Sequence, residues 1–175
     1  MRLRSTRSFE PTALSDEHLS DLVRPLCSIE GQMPYASAGG LYCCHLFALR
    51  PAADHSEVWY VDIADAALHR LCHIPSNEVG AAVFEPWAWP SGCLIAIVVD
   101  FRRICGKYGL RGLRFGMFES GSIAQIVRQQ AFSMGLGSCV VGGYSDDSVL
   151  EVLDLDPEWF GIAMLIAAGA PAGQA

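Results

Sequence analysis

KYGLRGLRFGMFESGSIAQIVRQQAFSM, residues 107–134, is the stretch around which the rest of the chain can be ordered. Leu113, Met117, Ser120, Ala124, Val127, Ala131 and Met134 recur in steps of three and four, so one stripe of a long helix is apolar or small from end to end. Such a stripe calls for burial, at the centre of a domain or at a subunit contact. Gly116, Ser120, Gly121 and Ala124 would let another backbone come close. Gly135 follows the last periodic residues, and a glycine just past a helix is a common C-terminal signal. At the head of the stretch Lys107, the only lysine in the chain, stands beside Tyr108.

On the N-terminal side of this helix, residues 93–101 (CLIAIVVDF) form the strongest predicted strand, apolar on both faces and therefore central in its sheet. Residues 102–108 lead from that strand into the long helix. Beyond Gly135-Leu136-Gly137, the pattern predicts a short strand over 138–141, a turn at Gly142-Gly143-Tyr144, a helix over 146–153 and a last strand over 162–168. Strands are expected at 42–49 and 57–62, while 67–72 fits either a hairpin strand or the start of a helix. A short helix over 77–84 precedes an aromatic turn, Pro86-Trp87-Ala88-Trp89-Pro90. The first helix is expected over 12–27, with Ser15 as N-cap and Pro25 ending or kinking it. Residues 28–41 are turn-rich, and Pro34-Tyr35-Ala36-Ser37-Ala38-Gly39-Gly40 reads as a binding loop whose glycines permit conformations and close approaches that side chains block. Several strand neighbours lack a crossover helix, which predicts an α+β sheet protein over a regular doubly wound one.

A length of 175 residues fits one domain, 1–175. With 51% apolar residues against 18% charged ones, little polar surface is left over, and a buried dimer interface would account for the excess. The net charge of −7 argues against nonspecific nucleic-acid binding, which needs clustered Lys and Arg. No apolar run is long enough to span a bilayer. Seven cysteines, an odd number with no C-x-x-C pair, fit reduced thiols in a cytoplasm. Arg2, Arg4 and Arg7 crowd the start of the chain without the apolar segment of a secretory signal, and nothing basic follows Arg128.

Several motifs are missing. Val140 stands where a third glycine would complete a dinucleotide fingerprint, and neither a phosphate-cradling Walker loop nor a G-x-S-x-G elbow is present. Cys43-Cys44-His45 and the group His69, Cys72 and His73 lack a matching second ligand pair, so no metal site is expected. Three pieces remain: the Arg-rich start, the Ser-Ala-Gly-Gly loop and the Gly-rich turn after the long helix. Arginines hold phosphates through charged bidentate hydrogen bonds, and glycine backbones can lie against a flat ring and offer N–H donors to its edge. A phosphate-bearing planar cofactor would use all three.

In their order along the chain, these pieces resemble the FMN-dependent nitroreductase superfamily, specifically its SagB-type branch of azoline dehydrogenases and peptide-biosynthesis oxidases. Arg4-Ser5-Thr6-Arg7-Ser8-Phe9 is similar to the family's opening R-S-x-R-x-F, and Ser37-Ala38-Gly39-Gly40-Leu41-Tyr42 to its S-A-G-G-L-Y. Residues 103–109 match R-x-x-x-K-Y-G, and Glu119, Gly135-Leu136-Gly137 and Gly142-Gly143-Tyr144 follow in the expected order. Ala36 and Cys43 depart from the prolines that usually flank the loop. The resemblance implies a nitroreductase-like fold, a central mostly antiparallel sheet flanked by helices, in a homodimer with FMN at the subunit interface. Arg4, Ser5 and Arg7 would hold the phosphate and the polar edge of the flavin. Ser37, Ala38, Gly39 and Gly40 would approach the ring from the other subunit, backbone amides near Gly142 and Gly143 would face N5, the atom that takes hydride, and Gly137 and Val141 would also bind the cofactor. Lys107 and Tyr108 match the pair associated with proton removal.

The implied activity is oxidation of a peptide-derived intermediate, such as thiazoline or oxazoline to thiazole or oxazole. That chemistry removes a hydride from one ring carbon and a proton from its neighbour, so it needs a hydride sink and a base. The substrate would be a small molecule or a peptide-derived, carrier-bound intermediate, with a biosynthetic partner enzyme supplying it. Because the chain opens directly on the Arg motif, no N-terminal docking segment is expected. Two other readings fit the same residues: an NAD(P)H-dependent nitro or quinone reductase, and a non-catalytic scaffold within a biosynthetic complex.

Overall fold

The computed structural model describes residues 3–173, so Arg2 lies outside the described residues. Among the described residues six strands form one sheet: β1 (Cys44–Pro51), β2 (His55–Asp62), β3 (Ala67–Pro75), β4 (Cys93–Asp100), β5 (Gly137–Val141) and β6 (Phe160–Gly169). Their order is β3-β2-β1-β4-β6-β5, and every neighbouring pair is antiparallel. Five α-helices among the described residues cover its faces: α1 (Asp16–Val23), α2 (Ser76–Ala82), α3 (Phe101–Tyr108), α4 (Arg111–Ser133) and α5 (Asp146–Val152). The α+β expectation holds, and the ambiguous segment after β2 proves to be a strand, β3, at the exposed edge of the sheet.

β4 is central because both of its faces are apolar. Ile95, Ile97 and Val99 enter one core with Ile123, Val127 and Ala131 of α4 and with Leu19 and Leu22 of α1. Leu94, Ala96 and Val98 enter the other with Phe47, Val79 of α2, and Val149 and Leu150 of α5. Each fully buried Leu, Ile or Val contributes about 1.5–3 kcal/mol by leaving water, so this strand is the axis of both cores.

The long helix differs from its sequence reading in two respects. The segment leading into it is a helix of its own: α3 ends at Tyr108, Gly109 turns with φ 55° while its N–H donates to the Cys105 carbonyl at 2.7 Å, and α4 starts at Arg111. Lys107 and Tyr108 therefore close a short helix instead of opening the long one. The Asp100 carboxylate caps α3 by accepting from the Arg103 N–H at 3.1 Å, which turns the chain sharply off β4. The stripe also starts out of phase. Ser120, Ala124, Val127 and Ala131 are buried as expected, but Leu113 and Met117 face outward. Gly112 and Gly116 take the inward positions, because a Cβ there would lie 2.8 Å from the Ile104 carbonyl oxygen and 2.8 Å from Val99 Cγ1 respectively.

At the N-terminus, Ser15 caps α1 as expected, accepting from the His18 N–H, and Pro25 sits in a 3₁₀ turn (Arg24–Leu26) that ends it. The helix is shorter than the 12–27 expectation because the chain before Ser15 is extended. Tyr42 has φ 47°, a left-handed conformation that delays the start of β1 to Cys44.

Candidate active site

The Ser37 loop is held by a buried carboxylate. Ala38–Gly40 form a 3₁₀ turn in which Gly39 and Gly40 have φ 62° and 65°, the left-handed region that glycine reaches without a Cβ clash. Glu119 of α4, only 2% exposed, accepts the Ser37 hydroxyl and, at 3.0 Å, the Cys44 N–H, while the Tyr42 N–H donates to Ser37 Oγ at 2.8 Å. One side chain thus fixes both ends of the loop. The neighbouring Cys44 thiol is pushed up by its bond with Cys43, by burial and by the Glu119 charge. Tyr35 is pushed up by burial and then by Glu119, and its buried hydroxyl has no partner among the described residues.

The Lys-Tyr pair lies on this loop. A Cβ at Gly39 would collide with Tyr108 Oη and Lys107 Nζ, so glycine is what allows both polar groups to rest on the turn. Tyr108 is oriented by Phe115 of α4, edge to face with centroids 5.0 Å apart, and Lys107 Nζ lies 5.4 Å from the Tyr108 ring centroid. Lys107 is exposed and Tyr108 half-buried, so an amine and a hydroxyl are presented to whatever occupies the surface beside Gly40, where the space next to Cα is open.

A second group assembles around the start of the chain. The Thr6 N–H donates to the Ser138 carbonyl at 3.1 Å, which lays the N-terminal segment along β5. Gly137 permits this, because a Cβ there would be 2.6 Å from Thr6 Cγ2. Arg4, Thr6, Gly135, Gly137, Ser138 and Phe132 line a cleft of about 370 Å³. Arg7 does not join Arg4 in it: its guanidinium lies 5.8 Å from the Trp87 ring centroid. Ser5 is exposed and does not line the cleft either. Trp87 stacks with Phe9 at 6.5 Å and donates its indole N–H to Glu85 at 2.7 Å, and Glu85 in turn packs on Gly143. The aromatic turn therefore connects Arg7 to the Gly142-Gly143 turn. Nothing lies within 4 Å of the Cβ position at Gly142, while the Val141 side chain is buried in the α5-side core, leaving only its backbone for a ligand.

These two groups stand at opposite ends of the sheet. Gly137 pairs with Gly169 beside the Cys93 end of β4, whereas Cys44 pairs with Val99 at the other end. Strand rise puts about 20 Å between those levels along β4, with about 14 Å more across the sheet from β5 to β1. Within one chain, then, Arg4 and Gly137 do not meet Gly39, Lys107 and Tyr108.

Glu119 and Glu85 are the residues to which sequence reasoning gave no role. A carboxylate one turn from Gly116 and next to Ser120, on the buried side of an otherwise apolar helix, was the available signal for Glu119. For Glu85 no signal existed, since its place depends on the α2-to-β4 connection.

The fold and these paired features define a nitroreductase-type domain: residues 2–170 match the nitroreductase family model, and the chain belongs to that family, whose members are typically flavin-dependent. Its relatives narrow the kinship further. It is 26% identical over 164 residues to the nitroreductase-like protein MJ1384 of Methanocaldococcus jannaschii, covering 89% of this chain and 82% of that one. To the microcin B17-processing protein McbC of Escherichia coli it is 28% identical over 134 residues, covering 70% of this chain and 48% of McbC, so it spans about half of that relative's length. A chain of the E. coli microcin synthetase McbBCD complex with truncated pro-MccB17 bound shares the fold at a TM-score of 0.88 and 22% identity, over 99% of this chain and 70% of that one. Among the described residues, no helix is long and apolar enough to cross a membrane.

Proposed function

We propose that the chain is one subunit of a homodimeric, FMN-dependent oxidoreductase of the SagB type that oxidises a peptide-derived heterocycle, a thiazoline or oxazoline, to its aromatic form. The carrying observation is the seating of Lys107 Nζ and Tyr108 Oη on Gly39, in a loop that buried Glu119 holds in place. Similarity to McbC, a microcin B17-processing protein, supports a peptide-borne substrate and a biosynthetic partner enzyme.

The residues fit a phosphate-bearing planar group. Arg4, Thr6 and Ser138 supply a guanidinium and two hydroxyls around one cleft, and the Cα positions of Gly40 and Gly142 each face open space against which a flat ring can lie. FMN, when bound, supplies the acceptor for hydride. Lys107 takes the proton from the adjacent ring carbon at Nζ, Tyr108 Oη hydrogen-bonds the substrate or relays that proton, and Arg4 holds the phosphate. Arg7, set over Trp87, positions the aromatic turn beside the Gly142-Gly143 backbone.

The separation of the two groups supports a dimer, in which the Arg4 end of one subunit and the Gly39 end of its partner would complete each site. Leu110, Leu113, Met117 and Phe118 leave an apolar face on and just before α4, with Leu110 85% and Phe118 67% exposed, and Gly121 on the same helix leaves room for another backbone. An apolar face of this kind commonly marks an interaction site.

The test is the absorbance spectrum of the purified protein, with the released cofactor identified by mass. Flavin bands and about one FMN per chain are expected under this reading. A colourless protein that refuses added FMN would overturn it in favour of a scaffold role, and rapid NAD(P)H consumption with a nitroaromatic acceptor would reassign the flavoprotein as a reductase.

A further inference from the structure

Far from the residues assigned above, the β2–β3 hairpin gathers three metal-ligating side chains on one face. Glu57 and His73 are directly opposite in the antiparallel register, and His55 lies two residues from Glu57, hence on the same side of the pleat. Their donor atoms all lie within 4.8 Å of one another. The two imidazoles are stacked, with centroids 4.5 Å apart and planes 7° apart.

Each ligand is prepared by a neighbour. His55 Nδ1 lies 2.7 Å from Asp54 Oδ1, and a carboxylate accepting the Nδ1 proton leaves Nε2 with its lone pair free. Carboxylate–histidine pairs of this kind orient metal ligands and raise their basicity. Glu57 is anchored through Oε2, which accepts from Arg50 Nε at 2.7 Å and from Trp59 Nε1 at 3.1 Å. Its other oxygen, Oε1, has only Arg70 at 3.5 Å, a long contact from a side chain that is 54% exposed and able to swing aside. His73 is exposed on the edge strand, which gives an ion a way in.

We propose that His55 Nε2, His73 and Glu57 Oε1 form a site for a zinc-like divalent transition-metal ion, with water completing the shell. Two imidazoles and one carboxylate suit zinc, which takes four ligands at about 2.0–2.2 Å, so modest rotations of the His73 and Glu57 side chains must close the set. The site is structural. β3 is an edge strand that pairs with β2 alone, and the ion clips the two strands together at the end where His55 pairs with Pro75. It is four strands from β5, about 19 Å across the sheet, so it takes no part in the cleft that Arg4 lines. In sequence, the partners of His73 lie 16 and 18 positions upstream, a spacing set by hairpin register, which is why no ligand motif is legible there.

The experiment is a Zn²⁺ titration of the full-length protein after chelator treatment, followed by calorimetry and by thermal unfolding. One saturable Zn²⁺ per chain and a rise in melting temperature are expected. His55→Ala and His73→Ala, with native circular dichroism checked, should each weaken binding at least about tenfold and abolish the thermal shift, and Asp54→Asn should weaken it by about ten- to hundredfold. Arg70→Ala, which frees Oε1, should bind at least as tightly as the parent. Absence of saturable uptake would overturn the proposal, as would uptake that His55→Ala and His73→Ala leave unchanged, which would place the ion at another cluster such as Cys43, Cys44 and Glu119.

Discussion

The two ends of the sheet are built by different means. At the Val99 end, a glycine loop is tied down by side chains: Glu119 takes the Ser37 hydroxyl and the Cys44 N–H, and Lys107 and Tyr108 rest on Gly39. At the Cys93 end, the chain start is tied down by backbone, through Thr6 to Ser138 and Glu10 to Ala170, and Arg4 is left free over an open cleft. A reacting group needs fixed geometry, which a buried carboxylate enforces; an anion held by charge tolerates a flexible arginine. Under the proposed function the contrast separates a chemistry-bearing end from a cofactor-holding end, and substitutions at each should fail in different ways.

The largest effect is expected at the first end. Lys107→Ala should slow oxidation of an azoline-bearing peptide by about a hundredfold or more while the protein stays yellow, the scale of a lost general base; a single-turnover assay with the flavin spectrum recorded in parallel checks both halves. At the second end the failure should be in retention. Arg4→Ala is expected to weaken FMN binding by about 1.5–3 kcal/mol, the worth of a charged hydrogen bond, and Arg4→Ala with Arg7→Ala by only somewhat more, since Arg7 lies outside the cleft that Arg4 lines. Because Arg7 lies over Trp87, Arg7→Ala alone should cost less than Arg4→Ala, as fluorescence titration would reveal.

Glu119→Ala should lower unfolding stability by about 1–3 kcal/mol, because it strands the buried Cys44 N–H and frees the Ser37 loop. Urea denaturation measures this, and a neutral outcome would break the claim that the loop end is side-chain-fixed. The smallest effect is with pH. Burial holds the His45 imidazole below its ordinary value near 6.5, with Arg103 and Arg102 acting the same way and Asp100 and Glu119 against it. The unfolded chain therefore binds the proton more readily. The stability that neutral His45 preserves is complete above about pH 6.5 and is lost as pH falls from there through the lowered folded value. Urea midpoints between pH 7 and 5 should decline, less steeply in His45→Gln.

Much of this was legible from one dimension. The apolar run of β4 announces a central strand, Ser15 and Pro25 bracket α1, and the order of the Arg, Ser-Ala-Gly-Gly and Lys-Tyr motifs points to the family. What stayed hidden depends on neighbours distant in sequence. The separate helix before Gly109 stayed hidden because the apolar stripe that reveals α4 begins only at Leu113. The outward turn of Leu113 and Met117 follows from Gly112 and Gly116 nesting against Ile104 and Val99, a packing preference that a hydrophobicity pattern scores backwards. Arg7 leaves Arg4 because Trp87, 80 residues on, offers a ring for its guanidinium.

The central claim, that the two ends complete one flavin site only between subunits, is tested by mixing. Arg4→Ala/Arg7→Ala chains and Gly39→Trp chains, carrying different tags and each poor in flavin alone, are combined, and the doubly tagged dimer is isolated and its FMN counted. The account predicts about one FMN per mixed dimer, because one of the two equivalent sites then receives both intact halves. A mixed dimer as colourless as its parents would contradict it.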